Sequence, residues 1–219
     1  YGVTKAEIEQ LEQVDEMWIR DLMNCSSSVA KDLFYLELGI VPIKYIIQTR
    51  RILYLHHILQ QEPNSLLYRF FIAQLENPTP RDWTCQVLDD LKEINVNLGI
   101  EEIKCMKREK FKDLIKEAIR EKAFLDLKKR KEDRNSENSK GKLINYDEFK
   151  MADYLTNTEE DVTIEEQKWI FKCRVEHMKI KGNHRWKYED ISCPSCMKNV
   201  EETQSHILVC DFLLGKDKN

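Results

Sequence analysis

Thr4-Lys5-Ala6-Glu7 forms a helix-opening capping box, and the apolar residues after it, Ile8, Leu11, Trp18 and Leu22, recur on one helical face. Ser26-Ser27-Ser28 interrupts that pattern and caps a second helix carrying Leu33, Phe34, Leu36 and Leu38. Gly39 fits the left-handed position that ends a helix, and Pro42 fits the first turn of the next. That third helix, roughly 42–61, is the most apolar in the chain. Ile43, Ile46, Ile47, Leu53, Leu55 and Ile58 cover too wide an arc for one solvated face, which predicts a central position.

Glu62-Pro63-Asn64-Ser65 breaks the chain before a fourth helix marked by Leu66, Leu67, Phe70, Phe71 and Leu75. Pro78-Thr79-Pro80 ends it, with Thr79 as the predicted cap of a fifth helix, Pro80 at its first position and Asp82 in its first turn. Trp83, Val87, Leu88 and Leu91 form the predicted buried side of that helix. Asp89 and Asp90 diverge by about 100° as helical neighbours, so they cannot share an ion and read as solvated acids. A single long, charged helix is predicted from Glu101 to Arg134, with Phe111, Leu114, Ile115, Ala118 and Leu125 as a thin apolar seam. It ends in Lys128-Lys129-Arg130-Lys131, a basic cluster that suits the negative end of the helix dipole. A polar stretch at 135–142 reads as a flexible linker between a helical region at 1–134 and a second part at 143–219. In that second part a short helix is predicted over Asp147–Leu155. Another opens at the capping box Thr163-Ile164-Glu165-Glu166 and carries Ile164, Ile170, Phe171, Val175 and Met178.

The composition narrows this to an all-α fold, a helical array followed by a small C-terminal metal module. Charged residues make up 34% of the chain, while 6 Gly and 5 Pro supply little turn chemistry for an all-β protein. No run of about 18 apolar residues occurs, so a spanning helix is not predicted. The net charge of −4 means that any affinity for nucleic acid has to come from local patches. The chain opens at Tyr1 and enters a helix almost at once, which reads as a piece of a longer polypeptide.

Of 7 cysteines, Cys25, Cys85, Cys105 and Cys173 are scattered, and no stretch reads as a secretory leader; both point to a reduced, intracellular protein. The other three share Cys193-x2-Cys196-x9-His206-x3-Cys210. A Cys-x2-Cys turn aims two thiolates at one point, and His206 and Cys210 stand one turn apart if 204–210 is helical. Three sulfurs and one imidazole complete tetrahedral Zn2+ with no open position, which predicts a structural site. A redox Cys-x-x-Cys would instead open a long helix after a strand. Cys173 and His184 are substitute ligands. With little core of its own, the segment after about residue 165 is expected to unfold when the metal is lost.

Two basic features are candidates for contact with phosphate. The third helix carries Lys44, Arg50 and Arg51 with no acid before Glu62, against which stands simple pairing with acids such as Glu37 or Asp32. Between Lys168 and Lys187 lie seven Lys or Arg residues against one acid, Glu176, with Trp186 and Tyr188 at the end. Lys172, Arg174, Lys179, Lys181, Arg185 and Lys187 would neutralise backbone charge, and Trp186 would stack on a base. Trp186 and Tyr188 equally suit a small core beneath the metal.

The run ELGIVPIKYIIQTRRILYLHHILQQEPNSLLYRFFIAQLENPTPRDWT, Glu37 to Thr84, resembles the segment that follows the polymerase core in non-LTR retrotransposons. The tail CPSCMKNVEETQSHILVC is similar to the zinc-binding module near the C-terminus of such reverse transcriptases. The resemblance spans roughly residues 1–215. It implies a thumb-like and linker region that grips template–primer RNA or DNA beside the rest of the parent polymerase, and a nuclear location. No Tyr-x-Asp-Asp-type motif for holding two catalytic metal ions occurs, so polymerisation is not attributed to this chain. A reading of another class is a zinc-stabilised helical scaffold for protein–protein contact. An exposed apolar strip on residues 101–134 would be its mark.

Overall fold

Seventeen residues, Ile43–Leu59, form the helix about which the others pack. The computed structural model describes residues 4–27, 29–80, 82–133, 149–156, 163–175, 180, 182, 187–196 and 198–210. In chain order the helices are α1 Lys5–Met23, α2 Lys31–Leu38, α3 Ile43–Leu59, α4 Leu66–Glu76, α5 Trp83–Glu93, α6 Ile100–Cys105, α7 Arg108–Asp133, α8 Asp153–Thr156, α9 Ile164–Arg174 and α10 Gln204–Val209. Among the described residues the only β pairing is an isolated antiparallel bridge, Ser192 with Glu201. The predicted all-α character holds at that level.

α3 touches α1, α4, α5, α6 and α7, as its wide apolar arc requires. Ile52, Leu55 and Leu59 are fully buried on it, and Tyr45 and His56 carry polar atoms into the same interior. Those atoms are satisfied. Tyr45 Oη donates to Asp126 Oδ2 of α7 at 2.5 Å, and His56 Nε2 lies 2.9 Å from the Met106 carbonyl. The His56 ring also stacks on Phe111, centroids 5.2 Å apart.

That His56 contact explains a departure from the predicted single helix over 101–134. Gln60 Nε2 takes the Lys104 carbonyl at 2.7 Å while His56 takes that of Met106. The end of α3 thus captures carbonyls that a continuous helix would have bonded internally, and Met106 turns extended at ψ 138. α7 starts afresh at Arg108. Its buried seam is Phe111, Ile115, Ile119, Ala123 and Leu127, whereas Leu125 faces solvent. The apolar strip on 101–134 is therefore covered by α3.

Other boundaries shift for local reasons. α5 begins at Trp83, because the Asp82 carboxylate accepts from Thr79 N–H at 2.8 Å and turns the Pro78-Thr79-Pro80 stretch into a loop. α2 is preceded by Ala30 with no side-chain cap, and Ser28 lies outside the described residues. α8 is limited to Asp153–Thr156; residues 147–148 of its predicted start, and all of 135–142, lie outside the described residues. Both predicted capping boxes form, at Thr4/Glu7 and Thr163/Glu166. In each the reciprocal bond from the capping threonine holds the glutamate below the usual carboxylate range.

The core takes in residues from both sides of 135–142. Phe149, Phe171 and Val175 are buried in one cluster with α2, α3 and α7. Phe171 of α9 stacks on Phe34 of α2 at 5.5 Å, with Arg20 over the same Phe34 ring. Gly39 permits this docking. Its φ of +61° ends α2 in the left-handed region, and an added Cβ would lie 2.1 Å from Met151 N. Beside it the Ala152 N–H donates to the Glu37 carbonyl at 3.0 Å.

Candidate metal centre

The Cys193–Cys210 segment owes its shape to backbone bonds rather than to a core. Asp190 Oδ1 accepts from Ser192 N–H at 2.8 Å, which sets the turn into Cys193. Cys193 N–H donates to Val200 O at 2.7 Å, and Glu202 N–H donates to Ile191 O at 2.8 Å, closing a short antiparallel loop. Asn199, at φ 55°, takes the left-handed step that lets the chain return. Gly182 N–H adds a bond to Glu202 O at 3.0 Å, and a Cβ on Gly182 would sit 2.5 Å from that oxygen.

Thr203 then opens α10, its hydroxyl accepting from His206 N–H at 3.1 Å. This cap places His206 in the first turn of the helix. α10 ends at Val209, so Cys210 stands in an extended conformation just past the helix. That refines the expectation of a helix through residue 210, and the histidine still converges with the third cysteine.

The ligand atoms of Cys193, Cys196, His206 and Cys210 all lie within 4.8 Å of one another. Zinc–sulfur bonds of about 2.3 Å in a tetrahedron put sulfurs about 3.8 Å apart, so the cluster needs only a small contraction to hold one ion. Cys193 and Cys210 are buried, Cys196 and His206 half-buried. Cys196 Sγ lies 3.3 Å from His206 Nε2. Burial alone would raise the Cys193 thiol, but the amides of Cys196 and Ser195, with the His206 and Cys196 side chains, hold it down to about 6. Cys196 receives the Lys198 amide, yet burial and the neighbouring Cys193 and Cys210 leave it raised. Three sulfurs thus converge where a cation would let all of them be thiolates. Cys173 stands outside the cluster as a half-buried thiol raised by burial, and His184 lies outside the described residues.

No match to the chain is found among known protein families, curated proteins or solved structures.

The candidate phosphate contacts divide sharply. Lys44 Nζ lies 2.5 Å from Glu93 Oε1. Arg51 Nε lies 2.8 Å from Asp90 Oδ2, an ion pair whose N–H is not aligned as a hydrogen bond, and its Nη1 donates to Gln86 Oε1 at 2.6 Å. Between them Gln48 Nε2 bonds Asp90 at 3.1 Å and Glu93 at 2.6 Å. Lys44, Gln48 and Arg51 of α3 thus run antiparallel to Gln86, Asp90 and Glu93 of α5 as a polar ladder. The acids that engage these cations come from α5. Asp90 is a buried member of the seam and not a solvated acid. Its neighbour Asp89 is exposed and pairs with Lys92.

Arg174 is likewise engaged, its Nε in an ion pair with the fully buried Glu37, and its guanidinium 6.0 Å from the Tyr154 ring. Lys44, Arg51 and Arg174 thus each engage an acid of the fold; Arg51 is largely buried in its pair, whereas Lys44 and Arg174 stay partly exposed. Lys172 is half-buried close enough to Cys25 to offset part of that thiol's burial-raised pKa. Arg50 and Lys187 are exposed. Lys179, Lys181, Arg185 and Trp186 lie outside the described residues.

A further exposed group escaped the sequence reading. Tyr54 and His57 follow Arg50 at i+4 and i+7 on the outer face of α3, their rings stacked at 5.7 Å. Trp83 meets Tyr54 edge-on at 5.8 Å. The available signal was the 50–54–57 spacing, masked by the apolar residues around it.

Proposed function

We propose that this chain is a non-catalytic, nucleic-acid-binding portion of a non-LTR-retrotransposon reverse transcriptase, stabilised at its C-terminal end by a structural Zn2+. Residues Cys193, Cys196, His206 and Cys210 would hold the ion. Thiolate and imidazole donors suit zinc, and four protein ligands leave no position for a reacting water. The ion supplies folding energy there and no chemistry. Catalysis belongs to the rest of the polymerase, and a nuclear location follows from the same reading.

One observation supports nucleic-acid contact above the others: Arg50 faces solvent beside the stacked Tyr54 and His57, while Lys44 and Arg51 are drawn inward. A cation beside exposed rings suits a phosphate with a base lying against the ring face. Such a contact positions template–primer RNA or DNA without reading its sequence.

The test is binding of a labelled RNA–DNA hybrid over a salt series. Arg50→Ala lowers affinity and reduces the slope of log K against log salt by about one. Arg50→Lys keeps the slope. An unchanged slope in Arg50→Ala removes this residue from the interface and leaves the reading without its main support.

A further inference from the structure

The face that periodicity picks out on α1 meets water. Among the described residues of this helix only Ile19 and Met23 are buried, whereas Leu11, Val14, Trp18 and Leu22 are 46, 51, 72 and 64% exposed. Their spacing of three, four and four residues sets them in one continuous strip, about 16 Å long at the helical rise. Met17, 55% exposed, widens it on one shoulder. A surface helix ordinarily turns its larger apolar face to the core; this one turns it out, which is the mark of a docking surface.

The charges around the strip say what can lie on it. α1 holds six acids, Glu7, Glu9, Glu12, Asp15, Glu16 and Asp21, against Lys5 and Arg20. Arg20 is turned away, bonded to Glu16 and to the Ser26 and Val29 carbonyls. Glu12 pairs with Lys31, and Asp15 accepts from Tyr35 Oη; both acids tie α1 to the body. On the strip itself Glu7 stands one turn before Leu11, and exposed Asp21 borders Trp18 and Leu22. The rim is acidic at both ends, with uncharged Gln10 and Gln13 exposed between them. It repels a nucleic-acid backbone. It also disfavours a second copy of itself, since α1 carries six acids against Lys5 and Arg20 and self-pairing would set that excess against its like.

We infer that α1 is the docking site for a basic amphipathic helix of a partner protein, apolar on one face with Lys or Arg along its borders. Leucine-type side chains would seat between Leu11, Val14, Trp18 and Leu22, and the flanking cations would meet Glu7 and Asp21. This interface is independent of the nucleic-acid reading, on a different helix and of opposite charge.

Two synthetic helical peptides of the same length and pattern, one Leu/Lys and one Leu/Glu, test it through tryptophan emission of the full chain, with Trp18→Phe identifying the reporter. The Leu/Lys peptide is expected to bind and shift Trp18 emission to the blue. Leu11→Gln with Leu22→Gln, both at exposed positions and without change of charge, weakens binding by about tenfold or more, and Asp21→Lys moves the preference toward Leu/Glu. Three results overturn the inference: equal binding of both peptides; unchanged Leu/Lys binding by the double variant, which would be charge attraction alone; or a dimer of the chain that the double variant dissociates, which would make the occupant a second copy.

Discussion

From Ile19 to Val175 the chain is held by apolar side chains that bury one another, whereas from Asp190 to Cys210 it is held by four converging donor atoms and a few backbone bonds. The first region has a central helix packed against α1, α4, α5, α6 and α7, and a cluster of buried residues drawn from most of its elements. In the second, Cys193 and Cys210 are the buried side chains among the described residues from 187 onward. Stability in the body is distributed, so a single lost contact is shared among many. Stability in the tail is concentrated at one point, and without an ion there is little to share.

The largest effect expected from this contrast is that of metal removal. Chelation, or Cys193→Ser, should release the backbone protection of Cys193 and Glu202, leaving that of Leu55 and Ile119 in place. Amide exchange reads both at once. The edge of the released segment falls after Val175 rather than near residue 165, because Phe171 and Val175 belong to the main core. Exchange protection lost throughout α3, or unchanged at Glu202, would abolish the distinction between the regions.

Phe171→Ala sharpens the same edge from the other side. Phe171 is fully buried against Phe34, so its truncation should cost about 3–5 kcal/mol in a denaturant titration followed by helix signal. A loss under about 1 kcal/mol would mean that α9 rests on the body without sharing its core.

How far each region was legible follows from the range of its interactions. The four candidate ligands lie within 18 residues of one another, and short spacing fixes which side chains converge; the fold brings together the same four that the spacing picks out. The capping boxes are equally local. Burial is a long-range matter, and the errors gather there. Leu11, Trp18 and Leu22 gave α1 its periodicity, but periodicity marks a face without saying whether anything covers it. The break at Met106 carries neither Gly nor Pro, since its cause is His56 and Gln60 some fifty residues earlier. Glu37 gave no local hint that Arg174 would reach it. The polar ladder was readable in principle: Lys44, Gln48, Arg51 and Gln86, Asp90, Glu93 have the same four-then-three spacing. Reading it required knowing that α3 and α5 are neighbours.

Adjacent arginines on α3 bring the comparison down to its smallest scale. Arg51→Ala leaves Asp90 in the interior without its cation, at a cost of roughly 3 kcal/mol. Burial already raises the Asp90 carboxyl above its ordinary value, against the pull of Arg51 and Gln48. The folded state therefore binds that proton more tightly than the unfolded chain. This group's contribution is most favourable below the ordinary carboxylate range and declines as pH rises through the interval up to the folded value. Removing Arg51 widens the interval upward, so the variant's deficit should be larger at neutral than at mildly acidic pH, and Asp90→Asn should erase the difference. Arg50, one residue away and exposed, has no such acid to orphan; Arg50→Ala should stay within about 0.5 kcal/mol of the parent at either pH. If the two alanine variants lost stability equally, Arg50 would be a structural residue too, and a loss of nucleic-acid binding in Arg50→Ala could not be assigned to a missing phosphate contact.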